Sequence, residues 1–113
     1  MREMLKSKIH KAVVTSSNPG YEGSIGIDEN LMKKVDILPD EKVLVISNDT
    51  GERLETYAFY EDPGSGEISI NGGATRKITE GEEITILSFR YSGESLQSKK
   101  ILVNDSNQFV KFY

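Results

Sequence analysis

The chain has 113 residues, 36% of them hydrophobic and 28% charged, which is enough for one domain with one small core and too apolar for a disordered segment. Its net charge of −4 excludes the cationic surface that nonspecific nucleic-acid binding requires. With no Cys and a single His, there is no disulfide framework, no thiolate nucleophile and no multi-histidine metal site within one chain.

No apolar run approaches the roughly 20 residues needed to cross a bilayer. The first residues, Met1-Arg2-Glu3-Met4-Leu5-Lys6, lack the apolar stretch of a secretory signal. The expectation is a cytoplasmic protein with neither a membrane nor a nucleic acid as partner.

Short strands broken by Gly, Pro, Asn and Asp turns dominate the pattern. Ser7-Lys8-Ile9-His10 reads as a strand with Lys8 and His10 on one face. Asp28 is placed to cap a short helix carrying Leu31, Met32 and Val35, with Pro39 as its stop. Val43 to Ile46 is a β-branched run ending in the turn Ser47-Asn48-Asp49-Thr50-Gly51, and Glu52 to Tyr60 is the returning strand. After the turn Asp62-Pro63-Gly64-Ser65-Gly66, Ile68 and Ile70 alternate with polar neighbours. A turn of helix is expected from Asn71 through Ala74 to Ile78. Glu83 to Tyr91 is the longest strand candidate, apolar on both faces and expected to be buried on both. Ser92 to Ser98 is polar and reads as a loop or short lid. Lys100–Val103 and Gln108–Tyr113 form a final hairpin across Asn104–Asn107. So many strands in so short a chain suggest a small closed barrel, because closure removes exposed edges.

Four segments carry groups with chemistry. In Tyr21-Glu22-Gly23-Ser24, Gly23 tolerates strained dihedrals and leaves its carbonyl open, and the Ser24 hydroxyl is next to it. On a bent backbone, Oγ attack on that carbonyl converts the amide to an ester. Elimination across Cα–Cβ then cleaves the chain, and hydrolysis of the resulting dehydroalanine leaves a ketone. Gly-Ser is also an ordinary turn dipeptide. Lys8 and His10 together suit a carboxylate and a proton, or else guard an exposed sheet edge. Arg53 and Tyr57, four residues apart, share a strand face; Arg grips carboxylates and Tyr donates protons. Thr56 points to the other face unless a bulge or strand end intervenes. Asn71-Gly72-Gly73-Ala74 permits close backbone approach, with amides at a short helix start, or is a plain turn.

Taken together, Met4-Leu5, Lys8-Ile9-His10, Tyr21-Glu22-Gly23-Ser24, Ile27-Asp28, Gly51-Glu52-Arg53, Thr56-Tyr57-Ala58 and Asn71-Gly72 resemble the pyruvoyl-dependent aspartate 1-decarboxylase family in order and spacing. The resemblance runs from Met4 to about Phe89. It implies a six-stranded double-psi β-barrel, one domain over residues 1–113, assembled as a homotetramer with active sites between subunits. It also implies self-cleavage between Gly23 and Ser24, giving fragments 1–23 and 24–113, with Ser24 becoming a covalent pyruvoyl group. By the same resemblance Thr56 assists the acyl shift. Lys8 and Arg53 bind substrate carboxylates, His10 shapes the site and handles protons, and Tyr57 is the proton donor. Asn71 orients the intermediate, and Gly72, Gly73 and Ala74 shape the pocket. The implied reaction turns L-aspartate into β-alanine and CO₂, serving pantothenate and coenzyme A synthesis. A ketone forming a Schiff base with the substrate amine is the electron sink that the reaction needs.

Two departures stand out. The family usually follows Asn-Gly with two or three alanines, where this chain has Gly73, Ala74 and Thr75, an exchange expected to loosen the loop. The tail from Ser92 lacks the Pro that commonly precedes the last strands. Two other readings fit the same residues: a barrel that binds a partner without self-cleavage, and a decarboxylase for a different acidic amino acid.

Overall fold

Alternation at period two builds the longest strand at the start of the chain. In β1 (Arg2–Val13), Ser7 and Ile9 are fully buried, while Lys8 and His10 project from the other face. The computed structural model describes all of residues 1–113. The remaining strands are β2 (Ser16–Asn18), β3 (Ser24–Asp28), β4 (Lys42–Ser47), β5 (Arg53–Glu61), β6 (Ile68–Asn71), β7 (Glu83–Ser92), β8 (Lys99–Val103) and β9 (Phe109–Phe112). One helix, α1 (Glu29–Lys34), follows β3, and a 3₁₀ turn over Gly72–Arg76 follows β6.

All nine strands join one mixed sheet in the order β2-β6-β3-β5-β4-β7-β1-β8-β9. Two residues separate β1 from β2, yet these strands stand far apart in that order. The sheet must therefore curl back on itself, as in a barrel. The seam is visible where Thr15 N–H donates to the Ile68 carbonyl at 2.8 Å, joining the end of β1 to the start of β6. The strand count exceeds the six expected. The short strand β2 extends one end, the terminal pair β8 and β9 extends the other, and six strands stand between them. Nineteen buried hydrophobic residues, mostly Ile and Val from these strands with Leu31 and Met32 of α1, form one continuous core.

Asp28 caps α1 as its sequence position suggests, and it does more. Its carboxylate accepts from Asn30 N–H at 2.8 Å, Gly64 N–H at 3.0 Å and Gly66 N–H at 2.9 Å, so this buried charge is fully paired with donors. Pro39 is not the helix stop. The helix ends at Lys34 with Val35 as its C-cap, and Asp36 turns the chain away with a left-handed φ of 60°. Strand β7 is buried on both faces only over its first half. Ile84 to Leu87 pair with β4, whereas Ser88 to Ser92 are flanked by β1 alone, so Phe89 and Tyr91 stand exposed. Ser92 ends β7, and residues 93–98 are a loop. Leu96 and Gln97 face a cleft with Lys6, Arg90 and Lys99, remote from Ser24, and do not form a lid over it.

Candidate active site

Ser24 opens β3, whose residues are all buried on both faces. Ile25 and Ile27 enter the core, so alternation turns Ser24, Gly26 and Asp28 to the opposite face. β6 repeats the pattern antiparallel alongside: Ile68 and Ile70 enter the core, and Ser69 and Asn71 stand across from Gly26 and Ser24. The result is a buried polar seam. Ser24, Ser69 and Asn71 are each no more than 3% exposed.

The seam is fully hydrogen-bonded. Asn71 Nδ2 donates to Ser24 Oγ at 3.2 Å and to Ser69 Oγ at 3.5 Å. Asn71 Oδ1 accepts from Asn18 Nδ2 at 2.9 Å. Ser69 Oγ donates to Glu61 Oε2. Ser24 Oγ donates in turn to the Glu22 carbonyl at 3.3 Å, across the Gly23 peptide.

The glycine requirement falls on Gly72 and not on Gly23. Gly23 does not adopt a left-handed φ, and a Cβ there would meet open space, so the expected strain at Gly23 is not found. Gly72 has φ +67°, and a Cβ on it would lie 2.8 Å from the Gly23 N and Cα and 2.9 Å from the Tyr21 carbonyl oxygen. Its bare backbone is what lets the 3₁₀ turn lie directly against the residue that precedes Ser24. Gly73 and Ala74 continue this turn, Gly73 exposed and Ala74 half-buried. Thr75 Oγ1 donates to the Gly72 carbonyl at 2.7 Å, which tightens a loop expected to be loosened.

Tyr57 meets Ser24 across an open cleft of about 270 Å³ shared with Tyr21, Glu22 and Phe59. The parallel β3–β5 register, Ile25 beside Ala58, puts the two together. Arg53 and Tyr57 occupy one face of β5 as the spacing implies, about 13 Å apart along the strand. β5 pairs with β4 without a bulge from Arg53 to Tyr57, so Thr56 faces the opposite way, and its hydroxyl makes no hydrogen bond to Gly23 or Ser24.

Lys8 and His10 are on β1, separated from β3 in the sheet order by β5, β4 and β7, and they do not line the Ser24 cleft. They are not guarding an edge either, since β1 is flanked by β7 and β8. Lys8 stands beside Lys100 and, like Arg53, has no carboxylate partner within the chain. His10 has a buried Nδ1 without a hydrogen-bond partner, and its ring meets that of Tyr113 edge-on at 6.0 Å. Burial, reinforced by the charges of Lys8 and Lys11, holds its pKa below the ordinary 6.5 despite the opposing pull of Glu83.

One chain thus assembles Gly23, Ser24, Tyr57, Asn71, Gly72, Gly73 and Ala74. It leaves Lys8, His10, Arg53 and the Thr56 hydroxyl facing elsewhere. Sequence reasoning missed Asn18, Glu61 and Ser69, although the alternation of Ser69 and Asn71 with two isoleucines was a visible sign of a second buried face.

The aspartate decarboxylase family model matches residues 1–110. The chain belongs to the aspartate decarboxylase family. Among relatives of this family, an aspartate 1-decarboxylase of Pseudothermotoga lettingae is 46% identical over 112 residues, covering 97% of each chain. One from Chlorobium phaeovibrioides is 54% identical over 86 residues, 76% of this chain and 67% of the relative. One from Bacillus subtilis is 41% identical over 111 residues, 95% of this chain and 87% of the relative. The family-model match spans the seam at Ser24 together with the outward-facing β1 and β5. No helix is long and apolar enough to cross a membrane.

Proposed function

We propose that this decarboxylase-family chain converts L-aspartate to β-alanine and CO₂, using a pyruvoyl group that it makes from Ser24 by cleaving the Gly23–Ser24 bond. The observation that carries this reading is the seam: a buried Ser24 hydroxyl, satisfied on both sides, beside a backbone that only a glycine at position 72 admits. Cleavage would carry Oγ away on the Gly23 carboxylate and leave the ketone at the Ser24 Cα, beside which Asn71 Nδ2 remains as a donor and Gly72 leaves the approach clear. Once formed, the ketone supplies the electron sink for loss of CO₂.

The chain's other residues act around it. Asn71 holds the reacting end. Tyr57 is the proton donor to the carbon that loses CO₂, a role supported by its sharing one cleft with Ser24. Gly73 and Ala74 are assigned to shape the pocket and offer backbone donors by the family resemblance alone, since neither lines the cleft between Ser24 and Tyr57. Lys8 and Arg53, free of internal carboxylates, suit a substrate with two carboxylates. His10, kept neutral near pH 7 by burial and its cationic neighbours, is suited to accept or relay a proton. Thr56 is assigned to assist the acyl shift by the family resemblance alone. The outward direction of Lys8, His10 and Arg53 supports a homotetramer whose sites are completed by a neighbouring subunit. So does the exposure of Tyr57, Phe89 and Tyr91 on the sheet's outer surface, where Phe89 and Tyr91 border a groove of about 450 Å³.

Mass spectrometry of the purified protein tests this directly. The expected result is two chains, residues 1–23 and 24–113, the larger lacking an amino terminus. Ser24→Ala is expected to remain one chain and to lose decarboxylation. A protein that stays unbroken and still decarboxylates aspartate overturns the pyruvoyl assignment.

A further inference from the structure

We propose that Glu61 is a positioning residue for chain cleavage, fixing the direction of the hydrogen bonds that reach Ser24. The inference rests on the cleavage reading above and concerns a side chain that touches neither Ser24 nor the scissile bond.

The argument starts at the far end of the seam. A Ser hydroxyl has one hydrogen. In Ser69 the 2.5 Å contact with Glu61 Oε2 commits that hydrogen to the carboxylate, which accepts and never donates when ionised. Ser69 Oγ then faces Asn71 with lone pairs only, so Asn71 must present Nδ2–H₂ to it, not Oδ1. The second Nδ2 hydrogen falls on Ser24 Oγ, and Oδ1 is left for Asn18. With Oγ accepting from Asn71, the Ser24 hydrogen points to the Glu22 carbonyl. A flipped Asn71 amide would put oxygen against the lone pairs of Ser69 and take the Ser24 hydrogen for itself. It would then offer no donor to the oxygen that must become negative as it attacks the Gly23 carbonyl. Glu61 therefore acts through Ser69 and Asn71, and its effect is felt when charge builds on Oγ.

A second observation shows that the fold reserves space for this carboxylate. Gly26 lies mid-strand in β3, directly across from Ser69, without a left-handed φ that would call for glycine. A Cβ there would lie 2.3 Å from both Glu61 Oε2 and Ser69 Oγ. The missing side chain is the room in which that pair meets.

The test is a cleavage time course, followed by mass, for the full chain and for Glu61→Leu, Glu61→Gln, Ser69→Ala and the Glu61→Leu/Ser69→Ala double variant. Glu61→Leu and Ser69→Ala are each expected to slow cleavage about tenfold or more, the scale on which supporting groups act. The double variant is expected to be no slower than the slower single one, because both remove the same link. Glu61→Gln keeps an acceptor oxygen of equal reach and is expected to recover most of the rate, a rescue that a purely structural loss would not show. Cleavage of Glu61→Leu at the parent rate overturns the inference while leaving the pyruvoyl reading intact, as do effects that multiply in the double variant. If Glu61→Leu fails to fold, Ser69→Ala cleaving at the parent rate overturns it equally. A parent chain that never cleaves removes both readings.

Discussion

The seam at Ser24 and the outer face of β1 and β5 are opposites in how they are finished. In the seam, Ser24, Ser69, Asn71 and Asn18 are joined by hydrogen bonds made wholly within one chain. On the outer face, Lys8 and Arg53 are unpaired cations, and Tyr57 is an exposed aromatic. Buried polar groups left unmatched cost more than exposed ones, which is why the seam closes its hydrogen bonds within the chain while the outer face can leave groups open. On the proposed function the closed seam serves cleavage and the open groups meet a substrate or a neighbouring subunit. Cleavage and substrate binding are therefore each expected to be breakable alone.

The largest effect is expected at Gly72. An added Cβ must displace the backbone of Gly23 or Tyr21, and φ +67° is strained for Ala, at a cost of about 1–3 kcal/mol. Since a displacement of ~1 Å at a reacting centre can cost ~100-fold, Gly72→Ala is expected to slow release of the 24–113 fragment by at least that factor. Following the fragment by mass against time checks this. A Gly72→Ala chain that cleaves as fast as the parent would remove Gly72 from the seam's function.

Arg53→Ala should do the reverse. The guanidinium is outside the seam, on the exposed face of β5, so cleavage should proceed at the parent rate. Loss of one charge-assisted carboxylate contact, about 1.5–3 kcal/mol, predicts a rise in KM for aspartate of roughly tenfold to hundredfold. Steady-state kinetics on fully cleaved protein measures it. Slowed cleavage in this variant would mean that the two regions are not separable.

How far the sequence disclosed this division follows from which patterns it records. A β-branched run made β4 legible and the turn after it announced β5, while period-two alternation resolved the faces of β7 and placed Lys8 with His10 and Arg53 with Tyr57 on common faces. It also signalled that Thr56 points away. Composition alone did not reveal β2, three residues with no apolar repeat, nor the full reach of β1. Glu61 was invisible for a different reason: its role depends on space at Gly26, a residue 35 positions earlier that only the β3–β5 and β3–β6 pairings bring near. Likewise Gly23 looked like the residue that must be glycine, because local sequence shows adjacency to Ser24 and not which backbone lies on top of it.

A smaller effect is expected from His10, which belongs to the outer face of β1 but has one ring nitrogen buried. Its folded pKa is lowered, so the unfolded chain binds the proton more readily. The associated stability is present above the unfolded value of 6.5 and is lost as pH falls through the folded pKa. His10→Gln should therefore lose less thermal stability than the parent between pH 7.5 and 5.5. As the chain has one histidine, its imidazole resonance can be titrated without ambiguity. A midpoint at or above 6.5 would show that burial does not govern this side chain.

The smallest expected effect is a gain. Gly73 follows Gly72 in the same 3₁₀ turn, yet the two glycines are there under different constraints. Gly72 has a left-handed φ and a backbone within 3 Å of where a Cβ would lie; Gly73 has neither, and a Cβ on it meets nothing within 4 Å. The turn is already held by the Thr75 hydroxyl on the Gly72 carbonyl. Replacing Gly73 by Ala therefore costs the folded state nothing sterically while it narrows the unfolded ensemble, which predicts a gain of about 0.4–1 kcal/mol. For a domain of this size that is a rise in Tm of about 2–8 °C, with cleavage at the parent rate. Thermal unfolding of Gly73→Ala, made non-cleaving by Ser24→Ala in both partners of the comparison, reads the gain without interference from fragment release. Destabilisation instead would mean that position 73 needs its glycine for a contact made outside the single chain, and would move it from the self-sufficient seam to the open face.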